Sequence, residues 1–79
     1  SVHPNPVISN VTVELNAVVA EQANWELTDI AGKTVLQHAV ILTKGKNVIN
    51  INLSKMPTGI YYLKVAGNNI NQAIKLQKL

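Results

Sequence analysis

Val11, Val13 and Leu15 alternate with Thr12, Glu14 and Asn16, and a repeat of two sends apolar side chains to one face of an extended chain and polar ones to the other. That pattern specifies a half-buried strand, and it returns along the sequence. Trp25 and Leu27 alternate with Glu26 and Thr28, and Ile49, Ile51 and Leu53 with Asn50 and Asn52. Tyr61, Leu63 and Val65 lie opposite Tyr62 and Lys64, and Ile74 and Leu76 opposite Lys75 and Gln77. Only the run from Thr34 to Leu42 is long enough to compete as a short helix. Its Val35, Val40 and Ile41 are β-branched and Gly-bearing turns flank it, so it too reads as a strand. A chain of 79 residues built this way has room for one all-β domain and excludes a two-domain enzyme. At this size only ~60–65% of the unfolded surface is buried on folding.

The segments between the strands carry turn chemistry. Asp29-Ile30-Ala31-Gly32 places Asp and Gly at the first and fourth positions of a type I turn, where the carboxylate caps and Gly exits. Lys44-Gly45-Lys46-Asn47 reads as a polar loop, and Ser54 to Gly59 as a turn with Pro57 at its second position and Gly59 at its exit. A two-residue type I′ loop at Asn68-Asn69 would set Leu63 opposite Ile74 and Tyr61 opposite Leu76, so that both apolar sets share a face. Six segments with turn signals every ~10–14 residues, and a seventh around Pro4 to Pro6, predict a small antiparallel β-sandwich. Its core is expected to hold Val13, Trp25, Leu27, Ile51, Leu63 and Ile74.

Composition narrows the function. The net charge of +3 is carried by seven Lys with no Arg, and Lys lacks the planar fork that reads phosphates and bases, so no nucleic-acid partner is expected. Without Cys there is neither a disulfide framework nor a thiolate metal site. No apolar run reaches the ~18–20 residues of a transmembrane segment. The chain opens on Ser1, and Val2-His3-Pro4-Asn5-Pro6 is stiffened by two prolines, which reads as the start of a module excised from a longer protein. Only 14% of residues are charged, so strand edges are weakly guarded and a weak homodimer through an edge is expected.

Catalytic chemistry has little to stand on. His3, His38 and Asp29 lack metal-ligand spacing, and no nucleophile motif accompanies the Ser, His and Asp residues. No enzyme activity, metal or cofactor is expected. Trp25 shares the inward parity of Leu27, which leaves outward-facing Tyr62 as the better candidate for stacking on a sugar. Asn10-Val11-Thr12 and Asn52-Leu53-Ser54 fit the glycosylation sequon, a short and weak pattern.

Four pieces of punctuation stand in order along the chain. They are Pro4-Asn5-Pro6, Asp29-x-x-Gly32-Lys33, Pro57-x-Gly59-Ile60-Tyr61, and a final segment with Lys75 and Lys78. Together they resemble the type A C-terminal sorting domain of proteins exported by the type IX (Por) secretion system of Bacteroidetes, and the resemblance spans essentially all 79 residues. His3 stands where such domains carry Tyr or Phe. The resemblance implies an Ig-like β-sandwich of about seven strands that acts as a sorting signal rather than an enzyme. Its implied partners are the outer-membrane translocon with its shuttle and sortase proteins. Cargo would cross the inner membrane by its own signal peptide, pass from periplasm through the outer membrane, and finish secreted or at the cell surface.

The matched residues also have structural readings. Asp29 and Gly32 are explained as turn formers and Gly59 to Tyr61 as a turn exit leading into a core strand. Lys75 and Lys78 serve equally as guards against edge pairing or as a docking strip on an exposed terminal strand. Two alternatives to the sorting signal are an Ig-like adhesion or carbohydrate-binding module of a cell-surface protein, and a spacer domain.

Overall fold

The computed structural model describes residues 2–3 and 6–79, the side chains of Val2 and His3 excepted. Every extended segment read from the period of two is a strand, and there is no helix among the described residues. The order is β1 (Val2–His3), β2 (Asn10–Ala17), β3 (Glu21–Asp29), β4 (Thr34–Leu42), β5 (Gly45–Asn52), β6 (Gly59–Ala66) and β7 (Asn71–Lys78). A three-stranded sheet has the order β1-β2-β5 and a four-stranded sheet the order β4-β3-β6-β7. All strand pairs are antiparallel.

The two inner faces meet as the alternation requires. Val11, Val13 and Leu15 of β2 with Ile49 and Ile51 of β5 form one side, and Ala23, Trp25, Leu27, Tyr61, Leu63, Val65 and Leu76 the other; all are buried in one cluster. Each Leu, Ile or Val so removed from water contributes about 1.5–3 kcal/mol, which is how a domain without disulfides or Phe holds together. Of the six expected core residues, five are fully buried, and Ile74 is half-buried against the same cluster.

The register of the last hairpin is also as read, with Tyr61 opposite Leu76 and Leu63 opposite Ile74. The turn type is not. Gly67 N–H donates to Ile70 O at 2.8 Å around Asn68 and Asn69, but no non-glycine residue has positive φ among the described residues, and a type I′ turn needs it at both central positions. The loop before β5 is shorter than its composition implied. β5 already begins at Gly45, because Ala17 and Asn16 of β2 supply pairing partners to Gly45 and Lys46. Asn47, read as loop, is a strand residue whose side chain closes the tight connection: its Oδ1 accepts from Thr43 N–H at 2.9 Å and its Nδ2 donates to Thr43 O at 2.8 Å.

One long-range feature has no counterpart in local periodicity. Val7 is wholly buried and pairs in parallel with Lys78. Its N–H donates to Gln77 O at 2.7 Å and its carbonyl accepts from Leu79 N–H at 2.8 Å. The last residues of β7 are therefore flanked by the segment that leads into β2. The terminal strand is not the fully open docking edge expected from the sequence.

Candidate functional site

The strand directions gather most of the punctuation at one end of the sandwich. β3 and β7 finish there, β4 and β6 start there, β5 runs out there, and β2 begins there opposite the end of β5, with Asn10 paired to Asn52. Asp29 is paired with Tyr61, and Gly59 with Lys78. Pro6, Asp29, Gly32, Lys33, Pro57, Gly59, Ile60, Tyr61 and Lys78 thus belong to this signature pole. Lys75 sits further in, opposite Tyr62. Pro4 and Asn5 lie outside the described residues. The opposite pole holds the connections at 18–20, 43–44 and 67–70.

At the signature pole the Asp29 carboxylate does the capping its position predicts. Oδ1 accepts from Ala31 N–H and from Lys33 N–H, both at 2.9 Å, while Gly32 N–H donates to Asp29 O at 3.0 Å. Gly32 has φ of 88°, a conformation that a side chain with Cβ disfavours. The neighbouring turn closes three residues earlier than expected, with Met56 N–H donating to Leu53 O at 2.9 Å. Pro57 follows that turn rather than taking its second position, and its carbonyl accepts the Tyr61 hydroxyl at 2.7 Å. A buried Tyr at the start of a strand, bonded back to the preceding corner, fixes how β5 crosses over to β6 in the other sheet. Leu53 N–H donates to Ser9 O at 2.7 Å, which ties the same corner to the leading segment.

Lys78 departs from the sequence expectation. It shares the inward parity of Leu76 and is only 7% exposed, with Nζ donating to the Leu79 carbonyl at 2.7 Å. The four-carbon stem is covered while the ammonium reaches a polar partner, as long cationic side chains do at the rim of a core. Lys75 is exposed, and with Pro6, Ile60 and Gln77 it lines a surface cleft beside the flanked end of β7. Three residues from separate pieces of the sequence signature therefore share one concavity.

The motif residues build the pole; other side chains are displayed on it. Ile8 is 71% exposed, Ile30 75% and Leu79 52%, and Lys33 and Lys55 are exposed with them. Sequence reasoning missed the three apolar ones. The available signal was Ile30 in the second position of a capped turn, where a polar residue would be ordinary. Trp25 is buried, in ring contact with His38 at 5.1 Å, whereas Tyr62 is partly exposed. Among the described residues no three His, Cys, Asp or Glu come together as a metal-binding group, and no helix is long and apolar enough to cross a membrane.

These features define a small antiparallel β-sandwich whose sequence signature is concentrated at one end. The chain belongs to the family of secretion system C-terminal sorting domains, whose family model matches residues 1–78. It carries a sorting tail of type IX secretion, which implies interaction with that machinery and export across the outer membrane to the cell surface or medium. No curated protein and no solved structure matches it.

Proposed function

We propose that this domain is the non-enzymatic export signal of a longer secreted protein, and that the type IX machinery reads it folded, at the signature pole. The observation that carries this reading is convergence. Residues from the first, second, third and last parts of the chain, each with a hydrogen-bonding or packing duty, assemble one rigid end. Rigid presentation lowers the ordering cost of docking. Ile8, Ile30 and Leu79 supply apolar contact and Lys33, Lys55 and Lys75 steer the approach. The Ig-like description of the sandwich is supported by its three-plus-four strand division and the Tyr61 corner.

The cargo would reach the periplasm by an N-terminal signal peptide of its own, pass the outer-membrane translocon with a shuttle protein, and lose the domain to a sortase. Fusing residues 1–79 to a reporter that bears a signal peptide, in a cell with a working type IX system, tests the reading. The reporter is expected at the surface or in the medium, and retention in the periplasm would refute it.

A further inference from the structure

We propose that two copies of this chain associate by antiparallel pairing of their β4 strands about a two-fold axis at His38. Of the four strand edges among the described residues, three are short, charged or covered. β1 has two residues, β5 carries Lys46, and β7 carries Lys75 and Lys78 with Val7 along its end. β4 is nine residues long and contains no Lys, Asp, Glu, Pro or Gly. A long edge without such guards is a template for another strand. None of the seven Lys lies within β4, and the nearest, Lys33 and Lys44, stand just outside its two ends.

The occupant follows from the order of residues in β4. A two-fold at His38 sets Leu36 opposite Val40 and Gln37 opposite Ala39 of the second copy. The Leu36–Val40 contact is apolar on both sides, and each contact occurs twice, as an isologous interface requires. Moving the axis one residue, to Ala39, would set Gln37 against Ile41 and His38 against Val40. Leu36 and Val40 are half-buried against the core, so the pairing continues that core across the axis. The register irregularity opposite Leu27/Thr28 leaves Val35 unpaired within β4, so the regular stretch available for pairing runs from Leu36 to Leu42. Two four-stranded sheets would join into one of eight. This association does not depend on the sorting role.

Because the chain has no Cys, single cysteines allow clean spin labelling. Sedimentation of the 79-residue chain at rising concentration should show a monomer–dimer equilibrium. A label at His38→Cys should broaden by exchange with its twin, whereas labels at Thr34→Cys should lie ~26 Å apart, eight residues of strand. Ala39→Lys, at an exposed position beside the axis, should weaken association roughly tenfold or more while leaving the melting temperature of the dilute, monomeric chain unchanged. A chain monomeric to ~1 mM, a dimer with close labels at 34 rather than 38, or an Ala39→Lys dimer as tight as the parent would each overturn the proposal.

Discussion

The two poles of the sandwich are held together by different physics. At the opposite pole the connections are closed mostly by their own residues: Asn47 grips Thr43 four positions away, and Gly67 bonds Ile70. One long-range contact reaches in, where the Glu21 carboxylate accepts from Asn69 N–H at 3.1 Å. Gly67 permits that approach, since a Cβ there would collide with Glu21 Oε1. The signature pole instead joins segments remote in sequence, through Val7 with Gln77 and Leu79 and through Ser9 with Leu53. Local closure tolerates sequence change, because a loop can be swapped without disturbing its neighbours. The signature pole combines such long-range ties, which couple many positions, with turns at Asp29–Lys33 and Pro57–Tyr61 that are closed locally.

The sharpest way to break this contrast is one chemical change made at both poles. Val7→Asp buries a carboxylate beside the end of β7 and should cost about 3 kcal/mol or more, enough to unfold much of a small domain. Val18→Asp, at a position 68% exposed, should stay within ~0.5 kcal/mol. Thermal melts of the two variants decide the matter; equal losses would mean that Val7 is not part of the core.

Lys78 gives the next largest effect. Reversing its charge places a carboxylate where the stem is buried and an acceptor, the Leu79 carbonyl, already faces it. Lys78→Glu should cost about 2 kcal/mol, whereas Lys78→Met, which keeps the stem, should cost under about 1 kcal/mol. Urea titrations of both would show whether the ammonium or the stem matters.

Asp29 and Asn47 are matched in stability and opposed in role. Each side chain accepts or donates several backbone hydrogen bonds in its own connection, so Asp29→Ala and Asn47→Ala should each lose about 1 kcal/mol. Surface display of a fused reporter should fall only for Asp29→Ala, because only that turn shapes the signature pole.

The smallest effect is electrostatic. Hydrogen bonding from the Asn69 side chain, helped by the Asn69 and Asn68 backbone amides and opposed by desolvation, holds the Glu21 carboxyl below its usual range. A lowered folded value means that this contribution is present above the unfolded carboxylate value and is lost as pH falls through the folded one. The Asn69 amide proton resonance should therefore shift as acidification protonates Glu21, below the usual carboxylate range, and Glu21→Gln should remove that titration.

The period of two made the strands, their inward faces and the register of the β6–β7 hairpin legible, since each is set by neighbours along the chain or directly across a tight turn. Lys78 was legible by the same rule. Its parity with Leu76 pointed inward, and the reading as an exposed charge came from residue type overriding position. The Val7 pairing was not legible, because contact between the two ends depends on how both sheets stack. Ile8, Ile30 and Leu79 were hidden for a related reason: exposed apolar side chains are common singly, and only the fold brings three to one end.

The central claim, that the signature pole is what the export machinery reads, is tested most directly by reporter display with matched surface triples. Ile8→Ser, Ile30→Ser and Leu79→Ser together should abolish display while the melting temperature of the purified domain holds. Val18→Ser, Val19→Ser and Ile41→Ser, from the opposite pole, should display as the parent does. Normal display of the first triple, with the domain folded, would contradict the account.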